Sequence, residues 1–86
     1  MRFISIIWDD ETNPNGNVQH IAEHELSIED VEHVLHHPIS EGISRSKEGR
    51  LISWGYAPDG RYIAVIYEEV IEGVIRVRTA YDVPEP

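Results

Sequence analysis

The stretch Leu51–Tyr81, LISWGYAPDGRYIAVIYEEVIEGVIRVRTAY, constrains the fold more than any other part of the chain. Its middle run, Tyr62–Tyr67, is the most apolar segment. It is dense in β-branched and aromatic residues, which suit a pleated, half-buried surface. Ala57-Pro58-Asp59-Gly60 precedes it and Ile71-Glu72-Gly73 follows. Pro presets φ, Asp bonds to nearby backbone and Gly takes positive φ, so both are turns. The pattern predicts three antiparallel strands in a meander, with Arg61–Glu69 in the centre.

Upstream, Phe3–Trp8 reads as a first strand and Asp9–Asn17, with its Asn-Pro-Asn-Gly-Asn run, as a loop. A helix is expected over Asn17–Glu25, capped by Asn13 or Asn17, with Val18, Ile21, Ala22 and Leu26 on one face and His20 and His24 opposite. Ser27 is a suitable N-cap for a second helix, and Glu29 and Asp30 in its first turn match the helix dipole. Ile28, Val31, Val34 and Leu35 form the expected buried stripe. Glu29/His33 and Glu32/His36 pair on the wet side, His36 and His37 fall in the last turn, and Pro38 ends the helix. Ile43–Ser46 reads as an edge strand and Lys47-Glu48-Gly49 as a turn. The order is β-α-α-β-β-β-β: an α+β, two-layer architecture with two N-terminal helices on one face of an antiparallel meander sheet.

At 86 residues the chain is expected to form one domain, 1–86. It contains no Cys, which excludes disulfides and zinc knuckles and suits a reducing, cytoplasmic setting. No apolar run approaches the roughly 20 residues needed to span a bilayer, so no membrane is expected. Net charge is −9, which opposes loose, non-specific binding to nucleic acid. The charge is uneven. Six of the seven basic residues (Arg45, Lys47, Arg50, Arg61, Arg76 and Arg78) lie in the sheet half, whereas Asp9–Glu41 has no Lys or Arg. Either a basic sheet face sits on an acidic body, or each arginine is neutralised by Glu48, Glu68, Glu69 and Glu72.

Three patterns carry chemistry. His20-Ile-Ala-Glu-His24 matches the inverted zinc-protease pattern H-x-x-E-H, in which two His four apart share a metal; a solvated polar face is the plainer reading. Arg76 and Arg78 alternate on the last strand, with Arg61 opening its neighbour. Guanidinium suits bidentate phosphate recognition, and cross-strand pairing with Glu68 or Glu69 is the plainer alternative. Tyr81 ends the last strand, where an exposed phenol can act as acid or base.

The segments WDD…NVQHIAEHELSIEDVEHV and GY-x-x-DGRYIAVIY…IRVRTAY resemble the BrnT-like branch of the RelE-type toxins. That pattern runs from a strand ending in Trp-Asp through a helix carrying Asn and a basic-His-Gly-Val-Ser/Thr step. It closes with a hairpin through Asp-Gly-Arg and a last strand ending near Thr-Ala. The resemblance spans Trp8 to Tyr81. It implies a small ribosome-associated or free endoribonuclease, metal-independent and without cofactor, held inactive by a ribbon-helix-helix antitoxin. The implied catalytic residues are His24, Arg61 and Tyr81, and the implied nucleic-acid contacts are Arg50, Arg61, Arg76 and Arg78. Departures from the pattern remove positive charge: Glu23 stands at the basic position, Glu25 at the Gly, and the segment after Tyr81 is acidic. An inactive relative that keeps the fold as a protein-binding module is the alternative.

Overall fold

The structure, a computed structural model, describes residues 3–44 and 49–86. Its elements are β1 (Ser5–Ile7), α1 (Asn17–Ala22), α2 (Ile28–His36), β2 (Ser40–Ile43), β3 (Arg50–Tyr56), β4 (Tyr62–Ile71) and β5 (Val74–Asp82). The order is the one expected. The sheet runs β1-β5-β4-β3-β2, so the apolar β4 is its central strand. Asp59-Gly60 and Glu72-Gly73 make the hairpin turns, with Gly60 at φ 92° and Gly73 at φ 80°. One neighbour differs from a pure antiparallel meander: β1 joins β5 in parallel, with Ser5 opposite Val74 and Ile7 opposite Arg76. The two helices carry the chain from one edge of the sheet, β1, to the other, β2.

Alternation splits β4 between two faces. Ile63, Val65 and Tyr67 meet Ile75, Val77 and Ala80 of β5 and Ile21, Leu26, Val31, Val34 and Leu35 of the helical layer. Each such side chain contributes about 1.5–3 kcal/mol through burial. Gly55 lets α2 approach β3, because a Cβ there would stand 3.2 Å from Val34 Cγ1 and 3.3 Å from the His37 carbonyl oxygen. The opposite face carries Arg50, Ile52, Trp54 and Tyr56 of β3 across from Glu68, Ile66, Ala64 and Tyr62 of β4.

The expected cap on α2 is present. Ser27 and Asp30 exchange side-chain and backbone hydrogen bonds as a capping box. Val31, Val34 and Leu35 are buried and Ile28 is half-buried. The α1 reading needs correction. The helix stops at Ala22, which is exposed, and Gly16 occupies the N-cap without a side-chain cap. The chain then closes in a Schellman-type turn: Glu25 N–H donates to Ala22 O at 2.9 Å and Leu26 N–H to Ile21 O at 3.1 Å. That closure puts Glu25 at φ 60°, a left-handed conformation that glycine adopts without cost and other residues do not. The edge strand also lies earlier than expected, at Ser40–Ile43. The predicted strand end at Ser46, the Lys47-Glu48 part of the turn, and Arg45 fall outside the described residues. Among the described residues no helix is long and apolar enough to cross a membrane.

One irregularity shapes the outer face of β5. Ile66 pairs with Thr79, yet the next residue, Tyr67, pairs with Val77, so Arg78 is an extra residue in the ladder. This β-bulge lets Val77 and Ala80 both enter the core, each at 0% exposure, although they are three apart. It also gathers Arg76, Arg78 and Thr79 at one cleft.

Candidate functional site

The cleft at the bulge, of about 310 Å³, is walled by the 9–17 loop, α1, the start of β3 and the middle of β5. Arg50, Arg76, Arg78, Thr79, Asp9 and His20 line it. Its wall is fixed by Asn17, which is 5% exposed. The Asn17 side chain accepts the Asp9 N–H at 2.8 Å and donates to the carbonyls of Ile7 and Val77, each at 3.0 Å. One amide therefore pins the loop and the start of α1 to both β1 and β5. Gly16 completes the close approach: a Cβ there would lie 2.7 Å from Asp9 Cβ.

The three arginines are engaged to different degrees. Arg76 Nη2 donates to both Asp9 carboxylate oxygens at 2.8 and 2.7 Å. Asp9 also accepts the Asn17 N–H at 2.8 Å. That backbone hydrogen bond, followed by those from Arg76, holds the Asp9 carboxyl below its ordinary range. Arg78 Nη1 stands 3.6 Å from Glu68 Oε1, a looser pair with both side chains part-exposed. Among the described residues Arg50 makes no ion pair. Its Nε is buried without a hydrogen-bond partner, and so is Thr79 Oγ1. Buried polar atoms without partners are rare in native folds. Both atoms belong to residues that line this arginine-rich cleft, whose guanidiniums suit an anion.

A second cleft, of about 600 Å³, is lined by His24, Glu25, Arg61, Tyr81 and Asp82. Here the arginine is saturated. Arg61 Nε donates to Asp59 Oδ2 at 3.1 Å, and Nη1 lies 3.4 Å from Asp82 Oδ1. Nη2 donates to the Glu25 carbonyl at 2.6 Å and Nη1 to the His24 carbonyl at 3.4 Å. Arg61 thus closes the turn that follows α1, where main-chain carbonyls lack helical partners. The His24 ring stands 6.2 Å from that of Tyr81, which is 37% exposed. His20 lines the first cleft and His24 the second, with ring centroids 5.9 Å apart, so the clefts abut along α1.

The structure therefore brings the sequence-derived residues together in two groups. Arg50, Arg76 and Arg78 share the first cleft; His24, Arg61 and Tyr81 share the second. Arg61 does not join the other arginines. Sequence reasoning passed over Asp9, Thr79 and the placement of His20 beside the guanidiniums. For Thr79 the signal was the three-residue interval between the apolar Val77 and Ala80, which breaks strand alternation; Asp9 and His20 carried no such signal. Among the described residues no group of three or more His, Asp or Glu side chains is placed to hold a metal ion. His20 and His24 have no third ligand of that kind.

No protein-family model matches this chain, and neither does any curated protein. The fold matches the crystal structure of the Brucella abortus ribonuclease toxin, BrnT, with a TM-score of 0.64 over 95% of this chain and 99% of that one, at 27% sequence identity. The expected α+β architecture and the resemblance to a RelE-type toxin both stand on that match.

Proposed function

We propose that this chain is an RNA-cleaving toxin of the BrnT kind, with the scissile phosphodiester seated in the arginine cleft. The single observation that supports the reading best is the gathering of the Arg50, Arg76 and Arg78 side chains on one cleft, with Arg50 Nε left without a hydrogen-bond partner. A phosphate there would meet cations already gathered where charge develops. The ribose 2′-OH attacks that phosphate without a metal or cofactor. Arg50, Arg76 and Arg78 are the nucleic-acid contacts. His24 and Tyr81, one cleft along α1, meet the adjoining nucleotide, with Arg61 positioning them. A ribbon-helix-helix antitoxin is the partner this reading implies. The acidic helical half, Asp9–Glu41, repels RNA elsewhere and confines it to the sheet face.

The alternative, an inactive relative that binds a protein, draws on one observation: Arg61 is wholly occupied and Arg76 is half-neutralised by Asp9. One experiment separates the two. Purified protein is incubated with RNA in chelator, with and without ribosomes, and expression is induced in growing cells. Cleavage and growth arrest, both abolished in Arg50→Ala, support the toxin. Intact RNA and normal growth under every condition leave only the binding module.

A further inference from the structure

We infer that His20, rather than His24 or Tyr81, is the catalytic proton acceptor, taking the proton of the attacking ribose 2′-OH; this rests on the RNA-cleavage reading above. The three guanidiniums of the cleft stay protonated in water and accept nothing. Asp9 receives two hydrogen bonds from Arg76 and one from the Asn17 backbone, and its carboxyl is held below the ordinary range, which makes it a poor base. Thr79 offers a hydroxyl, and Asn15 and Asn17 offer amides. Imidazole is the one side chain whose charge ordinarily changes between pH 5 and 8, and among the residues lining this cleft only His20 carries it.

Placement agrees. The His20 N–H donates to the Gly16 carbonyl at 3.0 Å, one turn from the Asn17 clamp, so its backbone is fixed relative to β5. Its Nδ1 faces Glu23 Oε2 at 3.8 Å, and the side chain is 47% exposed, open enough to meet a ribose. Glu23 and His24 are its nearest titratable neighbours, and Asp9 from the loop, Arg50 from β3 and Arg76 and Arg78 from β5 share its cleft. His24 is less well placed. The arginine of its cleft is bound by Asp59, Asp82 and two carbonyls, and those carboxylates would repel a phosphate.

In the step, O2′ bonds to phosphorus and the P–O5′ bond breaks. The 2′ proton passes to the His20 imidazole, O5′ takes a proton from water, and the imidazolium returns its proton to the hydroxide left behind. The products are a 2′,3′-cyclic phosphate end and a 5′-hydroxyl end. The guanidiniums carry the charge on the phosphoryl oxygens.

The test measures cleavage of a short single-stranded RNA across pH 5–9 in chelator, and binding of the same RNA with a 2′-deoxy residue at the cut site. Wild type is expected to show a rate that rises with pH and levels off. His20→Ala is expected to cut roughly 100- to 10,000-fold more slowly, to lose that rise and to regain rate with added imidazole, while binding stays within two-fold. If His20→Ala cuts with the wild-type profile while Arg50→Ala does not cut, the assignment of His20 is wrong and the arginine site stands. If His20→Ala loses binding as fully as Arg50→Ala, His20 is a binding residue and the proposal fails. If wild type cuts no RNA at any pH, the cleavage reading fails and takes this one with it.

Discussion

Two arginine-bearing clefts lie side by side along α1, and they use the same side chain in opposite ways. At the second cleft Arg61 meets carboxylates from Asp59 and Asp82 and carbonyls from His24 and Glu25. Every direction of its fork is occupied by its own protein. At the first cleft Arg50 has a buried, unpartnered Nε, and Arg78 has only a loose partner 3.6 Å away. Residue type therefore does not mark a binding site. What marks it is whether the fold has already satisfied the donors. Arg61 is matched to the carbonyls that follow a helix end, whereas Arg50 Nε has no hydrogen-bond partner.

The comparison breaks first at Arg50. Arg50→Ala should reduce RNA cleavage roughly 100- to 1,000-fold, the range seen when one charge-stabilising donor is removed, while the melting temperature stays within a few degrees. A large fall in melting temperature without loss of cleavage would reverse the two roles. Next comes the clamp that builds the first cleft. Asn17→Ala strips three hydrogen bonds from a buried amide and should cost about 2–3 kcal/mol in denaturant unfolding. Arg61→Ala should behave as the mirror image of Arg50→Ala. It should lose about 1–2 kcal/mol, because half-exposed carboxylates contribute little and the two carbonyls more. RNA binding per folded molecule should fall less than in Arg50→Ala, as fluorescence anisotropy would report.

Smaller effects sharpen the same contrast. Glu25→Gly should stabilise by about 1 kcal/mol by relieving the left-handed residue at φ 60°. The gain should be larger in an Arg61→Ala background, where the closure has lost its side-chain support; equal gains in the two backgrounds would show that Arg61 and the turn are uncoupled. The last effect concerns pH. The folded state lowers the Asp9 carboxyl below its unfolded value, so its contribution is fully present above the unfolded value. It is lost as pH falls through the folded one. Asp9→Asn should therefore flatten the acid side of the stability profile and leave its alkaline side unchanged, as thermal melts across pH 2–8 would show.

Much of the fold was legible because its signals are local. Pro58-Asp59-Gly60 and Glu72-Gly73 mark turns by their own chemistry, and Ser27 with Asp30 states a helix start within four residues. The parallel seat of β1 was not legible, because three residues carry no information about which strand they join. The end of α1 was hidden for another reason. Glu25 occupies a position that glycine would announce, so nothing in Glu23-His24-Glu25 signals a stop. At the site, the arginines were visible as residues and their partners were not. The carbonyls that hold Arg61 lie 36 and 37 positions away. The Asp9–Arg76 pair spans 67. The separation between occupied and available arginines is thus a property of long-range contacts.

The extra residue at position 78 has a consequence for how the last strand can change. Before it, odd-numbered positions, Ile75 and Val77, point inward; after it, the inward position is even-numbered, Ala80. The strand thus switches parity midway. Excision of that one residue would leave a continuous ladder and an intact apolar layer and take away one guanidinium, while Arg50 and Arg76 kept their places on either side of Glu68; a single codon separates a three-arginine face from a two-arginine one.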